Sequence, residues 1–180
     1  MIDLMNINPG LWIILAGLVC ALFPKTDATH YIRKLFLIAA PVFAGWLIFQ
    51  MHSLEPEYIR GVLTFGGIEL TTLRIDGLSL VWGYLFCLAG LINGIYGLHE
   101  KCRITDSSAL IYTGAAVAGV LAGDMITLFV FWELTAISSV FLVWKGGEAA
   151  YAAGLRYLAI HVFSGVLLLA GAVMVAQSRG

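Results

Sequence analysis

Charge is what this sequence has least of. Only 12% of its 180 residues are Asp, Glu, Lys or Arg, against the ~25% usual in a soluble domain. Ten basic and eleven acidic residues leave a net charge of −1, so no basic excess points to a nucleic acid. Cys20, Cys87 and Cys102 show neither a CxxC pair nor metal-ligand spacing, and they read as buried or idle thiols. Nucleotide-binding loops, nucleophile elbows and metal-ligand clusters are missing, so neither cofactor nor metal is expected. A haem would need a second histidine at the depth of His161, but His30, His52 and His99 fall in loops or at membrane edges.

Apolar residues, by contrast, make up 61% of the chain, with a mean hydropathy of +0.93. They come in long blocks, and ~20 consecutive apolar residues make one membrane-spanning helix, because hydrocarbon offers the backbone no hydrogen-bond partners. The expected fold is all-α and integral to the membrane, a single transmembrane domain over residues 1–180. About six spans are expected, near 9–24, 35–51, 78–98, 107–123, 125–144 and 155–176. Residues 1–24 carry Asp3 rather than a basic n-region, and so read as a span, not a cleaved signal.

Several breaks follow from local chemistry. The apolar stretch from Ala109 to Trp144 would measure about 54 Å as one helix, too long for a ~30 Å hydrocarbon core, so it folds back at Gly123-Asp124. Val62–Phe65 and Ile68–Ile75 flank Gly66-Gly67, the signal of a small β-hairpin between spans two and three. Asp76 reads as a helix N-cap, Asp124 as another, and Asp106-Ser-Ser108 as a third. Lys25 to Lys34 and Lys145 to Gly154 read as polar loops. Span four carries small residues at a spacing of four, Gly114, Ala118 and Ala122 on one row and Ala115, Gly119 and Gly123 on another, which suits close packing against a helix.

Seven of the ten basic residues (Lys25, Arg33, Lys34, Lys101, Arg103, Lys145 and Arg156) follow spans one, three and five. The positive-inside rule then puts both termini, the hairpin and Asp124 on the extracytoplasmic side of a cell inner (plasma) membrane. Lys145 and Arg156, beside Trp144 and Tyr157, read as interfacial anchors.

Glu133 is the residue that asks for a function. It stands eleven positions from Trp144, about 16 Å of helix, too far for its carboxyl to reach the membrane surface. An ionisable group there costs ~2.5–3.5 kcal/mol on insertion scales. Phe129, Val130, Ala136 and Ile137, its neighbours on the helix, cannot compensate a charge. A carboxyl so placed is suited to taking up and releasing protons, or else it makes one structural bond between helices. His161 is the only histidine inside a span, about 10 Å from that span's cytoplasmic end, at a depth close to that of Glu133. It is either a proton relay to Glu133 or a histidine satisfied by a serine or a backbone carbonyl.

The run from Gly123 to Ala136, GDMITLFVFWELTA, resembles the fifth-helix motif of antiporter-like subunits. That family is shared by Mrp-type monovalent cation/proton antiporters, membrane-bound hydrogenases and respiratory complex I. Asp76-Gly-Leu-Ser79 looks like the family's third-helix start, and Arg156 to His161 with the small-residue run Gly165 to Gly171 is similar to its sixth helix, particularly in the Mrp D-type subunit. The resemblance covers roughly residues 74–176. It implies that Glu133 is the proton-handling glutamate, which in the family pairs with a lysine on the seventh helix. Family members have about fourteen helices in two inverted repeats with broken helices. This chain has about six, so the resemblance implies an amino-terminal piece of a split subunit, or a truncated product. Partners are then other membrane subunits, including a chain supplying the missing later helices, together with the bilayer. The expected function is a proton-translocating part of a cation/proton antiporter, a transporter rather than an enzyme. The alternatives are a subunit of a proton-pumping redox complex and a purely structural subunit.

Overall fold

In a computed structural model, residues 4–24, 26–54, 57–65 and 68–179 are described. They form six α-helices: α1 (Pro9–Leu22), α2 (Asp27–Leu54), α3 (Gly77–Tyr96), α4 (Arg103–Val120), α5 (Met125–Trp144) and α6 (Glu148–Arg179). An antiparallel hairpin, β1 (Tyr58–Phe65) and β2 (Ile68–Ile75), lies between α2 and α3, with Phe65 opposite Ile68. Gly66-Gly67, the expected turn, lies outside the described residues. Helices α2, α3, α5 and α6 are each long and apolar enough to cross a membrane. Helix α1 is apolar but has only 14 residues, about 21 Å at 1.5 Å per residue.

Helix α4 is the hub. One row of its small residues meets α1 backbone to backbone. A methyl on Gly10 would run into the Gly114 carbonyl and the Ala118 amide, and one on Gly114 would come within 2.7 Å of the Gly10 carbonyl and the Ile14 amide. The other row faces α5, where Ala115 clusters with Phe131 and a methyl on Gly119 would touch Phe131 and Leu128. The first row thus lets α1 approach α4 backbone to backbone, which a larger side chain at Gly114 would prevent.

Two expected loops prove to be helix. Helix α2 starts at Asp27 and α6 at Glu148, so His30 to Lys34 and Ala149 to Gly154 are helical. The reason in α2 is a buried ion cluster. Asp106, expected to cap, lies inside α4 at 2% exposure and accepts Arg33 Nε at 3.2 Å and Lys34 Nζ at 2.6 Å. Lys34 also donates to the Gly97 carbonyl at 2.9 Å. The cluster ties α2, α4 and the end of α3 together, which makes two basic residues that read as surface signals part of the core. Helix α4 accordingly starts earlier than expected, at Arg103, with Cys102 at its N-cap position.

The hairpin also does more than decorate the surface. Its inward residues Tyr58, Leu73 and Ile75 are buried against Leu47, Ile48, Met51 and Leu121. The free edge of β2 bonds the α4–α5 turn: Arg74 N donates to Leu121 O at 2.7 Å, and Gly123 N to Thr71 O at 2.8 Å. Asn8, fully buried, donates from Nδ2 to Thr72 O at 2.7 Å and Ala118 O at 3.1 Å, and caps α1 by accepting Gly10 N at 3.0 Å. Every polar atom of that amide is spent, as burial requires.

Candidate functional site

Helix α5 begins where its sequence says. Asp124 Oδ1 accepts the amides of Ile126 and Thr127 at 2.9 and 2.8 Å, while Oδ2 takes the Thr127 hydroxyl at 2.6 Å and the Thr71 amide at 2.7 Å. One carboxylate thus caps the helix and joins it to the hairpin. From this anchor Glu133 is nine residues along and eleven short of Trp144, about 13 and 16 Å from the two ends. That is the middle of α5.

At that level Glu133 turns toward α6, which offers it a glycine. The Glu133 carboxyl lies over Gly165, where a methyl would overlap Oε1 and meet the Phe129 ring at 3.3 Å. Oε1 is shielded from solvent and has no hydrogen-bond partner. Among the described residues no cation reaches it, and the buried cations Arg33 and Lys34 are already engaged by Asp106. A buried polar atom left unpaired typically costs about 1–3 kcal/mol, so the site holds a carboxyl in want of a partner. Sequence reading found Glu133 from its depth alone; Gly165, the residue that makes room for it, stood only in a small-residue run and was not singled out.

His161 sits one turn before Gly165 on α6. Its ring stacks on Trp132 at 5.5 Å between centroids and tilts against Tyr157 at 5.8 Å. Its Nε2 is buried without a partner. At this seam the Tyr157 hydroxyl meets Ser139 Oγ at 2.9 Å. His161 faces a cavity of about 250 Å³ among α3, α4, α5 and α6, where Tyr112, Trp132, Thr135 and Tyr157 also line the wall. Among the described residues lining it, Glu133 is not one. The structure therefore puts Glu133 and His161 on the same helix pair, a turn apart, with no hydrogen bond joining them and the Trp132 indole stacked on the imidazole.

Helix α6 is otherwise bare. Ile160, Phe163 and Met174 are 71%, 66% and 70% exposed, and α5 is its principal neighbour. At the basic end of the bundle Trp144 stacks on Tyr151 at 5.3 Å, and Lys145 pairs with Glu100. Lys145 is thus an ion-pair partner as well as an edge residue.

Known proteins similar to this chain are membrane subunits. Residues 122–180 match the family described as NADH:quinone oxidoreductase/Mrp antiporter, TM. The chain is 32% identical over 160 residues to the A-type Na(+)/H(+) antiporter subunit of Alkalihalophilus pseudofirmus, covering 76% of this chain and 20% of that protein. It is 28% identical over 167 residues to the putative antiporter subunit mnhA2 of Staphylococcus epidermidis, covering 88% of this chain and 19% of that one. These relatives are of the A type or mnhA2, so the likeness is not specifically to the D-type subunit that the sixth helix resembles. A chain in the structure of the membrane-bound sulfane sulfur reductase, an archaeal respiratory membrane complex, superposes with a TM-score of 0.80 at 19% identity, over 96% of this chain and 28% of that one. That likeness is one of fold. The chain spans about a fifth of the length of these curated relatives. It is a multi-pass protein of the cell membrane, similar to subunits of cation/proton antiporters.

Proposed function

We propose that this chain forms the amino-terminal part of a proton-translocating subunit in a multisubunit monovalent cation/proton antiporter, with Glu133 as the group that takes up and releases the proton. The observation that carries the reading is the Glu133 carboxyl at mid-helix, its Oε1 shielded and unpartnered, over a glycine on the neighbouring helix. Among the described residues no cation reaches that carboxyl, so a charge on it needs a counter-ion from elsewhere. In this reading a lysine on a helix outside this chain supplies the cation, and the bare face of α6 is where later helices of the subunit or a companion chain dock. Other membrane subunits complete the assembly. Both termini and the hairpin lie outside the cytoplasm, consistent with the basic residues gathered at the opposite end.

His161 serves as a relay through its own cavity. Tyr157, Ser139 and Thr135 give a series of hydroxyls along the same seam, and Tyr157 and Thr135 line the cavity into which His161 opens. Water entering it would reach the imidazole, whose Nε2 has no partner of its own. Transfer onward to Glu133 needs the Trp132 ring to swing aside or a water to pass it.

The test uses the intact transporter in everted vesicles, with cation addition to collapse a preformed pH gradient. Glu133→Gln should abolish cation-driven proton movement while the complex still assembles. Unchanged transport would remove Glu133 from the proton path. A second reading, a redox-linked membrane subunit, draws on the matching family's description, which includes NADH:quinone oxidoreductase. Co-purification of iron–sulfur or flavin subunits with the chain would favour it.

A further inference from the structure

The basic end of the bundle holds two neighbouring hollows of opposite character. One, of about 370 Å³, lies between the α1–α2 connection and the start of α4, and its wall includes Asp27, His30, Arg33, Lys101 and Arg103. At ~30 Å³ per water it has room for about a dozen waters. The other, of about 270 Å³, is an apolar groove running between α1, α4 and α5, past Ile111, Leu134, Ile137 and Phe141. Arg103 and Ile104 belong to both. The hollows therefore adjoin, and Arg103 stands between them, its Nη1 fixed on the Phe23 carbonyl at 2.7 Å.

The first hollow is built for an anion. Three cations, Arg33, Lys101 and Arg103, face one carboxylate, Asp27. Asp106 lies behind Arg33, where Lys34 shares it. Arg33 Nη2 reaches only His30 Nδ1 at 3.4 Å and the Lys101 carbonyl at 3.5 Å, both at the limit of a hydrogen bond. The Lys101 ammonium has no partner among the described residues. The α4 N-terminus opens here as well, and no side chain caps it. Glu100 Oε1 accepts the Lys101 and Cys102 amides at 3.0 Å just before it, so what the helix start adds for a negative group is the positive end of its dipole.

We infer that the paired hollows hold an anionic phospholipid, its phosphodiester against Lys101, Arg103 and the first turn of α4 and one acyl chain in the groove past Ile111 and Ile137. The groove decides for lipid over free phosphate. From Ile104 to Ile111 it descends about 10 Å along α4 into the apolar depth. An inorganic anion makes no use of that surface, whereas an acyl chain fills it. Basic pockets between spans at the positively charged side of a membrane protein are where anionic head groups are recognised. The inference stands apart from the transport reading, since it uses neither Glu133 nor His161.

The experiment is native mass spectrometry of the intact detergent-purified complex, paired with its thermal unfolding. Phosphatidylglycerol, phosphatidylcholine and inorganic phosphate are each added in turn. Phosphatidylglycerol should be retained and raise the unfolding temperature, and phosphatidylcholine should do neither. Lys101→Gln, a change at an exposed side chain with nothing to lose by way of folding, should weaken retention about fivefold, the expected effect of one interfacial charge. Ile137→Trp fills the groove and should weaken phosphatidylglycerol retention while leaving any response to phosphate alone. Equal retention of the two lipids, or no effect of Lys101→Gln, overturns the inference. If phosphate alone stabilises as well as phosphatidylglycerol and Ile137→Trp changes nothing, the site takes a free anion and the lipid assignment is wrong.

Discussion

Gly165→Ala tests the candidate site without touching a titratable group. The added methyl would overlap the Glu133 carboxyl oxygen and meet Phe129 at 3.3 Å. An ordinary contact needs about 3.5 Å, so the carboxyl must move by on the order of 1–2 Å. It can do so, because it is the far end of a flexible side chain. Turning it off its preferred rotamer costs about 0.5–1.5 kcal/mol, against a gain of about 0.8–1.0 kcal/mol from replacing a helical glycine by alanine. Stability should therefore change by less than about 1 kcal/mol, while a displacement of that size in a reacting group can cost ~10²-fold in rate. Gly171→Ala is the control: the same helix and the same substitution, with nothing within 4 Å of the added methyl. In everted vesicles carrying the intact transporter, Gly165→Ala should slow cation-driven proton movement at least about tenfold and Gly171→Ala should not. If the two variants assemble and transport alike, the carboxyl's seat on α6 has no bearing on the proton, and the reasoning fails.

Other perturbations test the frame that holds the site. Asp106→Ala leaves Arg33 and Lys34 buried without their shared counter-charge, and should destabilise by about 3–5 kcal/mol, read as a lower melting temperature in detergent or failure to assemble. Gly114→Ala sets a methyl against the α1 backbone, which cannot yield as a side chain can, so a loss of about 1–3 kcal/mol is expected in the same assay. Asp76→Ala removes the capping box at the start of α3 and should cost about 0.5–2 kcal/mol near neutral pH. The Ser79 amide bond holds the Asp76 carboxyl below its ordinary range, so its stabilisation is fully present above the usual carboxylate value near ~4 and is lost as pH falls through the lower folded value. The gap between wild type and Asp76→Ala in thermal unfolding should narrow on acidification; a gap that widened would contradict the capping account.

Much of this architecture was legible because membrane helices announce themselves by local composition. The breaks around Asp76 and Asp124 were readable for a related reason: an aspartate capping a helix acts within three residues of itself. The hairpin followed from two short runs flanking a glycine pair, although nothing local says that Leu73 and Ile75 will be buried or that β2 will bond the α4–α5 turn. The failures share a cause. Arg33 and Lys34 read as a surface signal because their counter-charge, Asp106, is more than seventy residues away. With that pairing unseen, the first turns of α2 looked too polar for a buried helix, and Asp106 looked like a cap. The site was half legible for the same reason. Glu133 declares itself by depth within one helix, but the glycine beneath it and the indole beside His161 are facts of helix pairing, which no single segment carries.

The stitching of the α4–α5 turn to β2 has a mechanical corollary. Asp124 is held on two sides, by its own helix and by the hairpin edge, and the hairpin is in turn seated on α1 and α2. Helix α5 is thereby moored at that end like a post in a footing, whereas α6 leans on it along a single seam. If the proposed proton exchange at the carboxyl between them moves either helix, the lesser mooring of α6 on this chain makes it the one to shift.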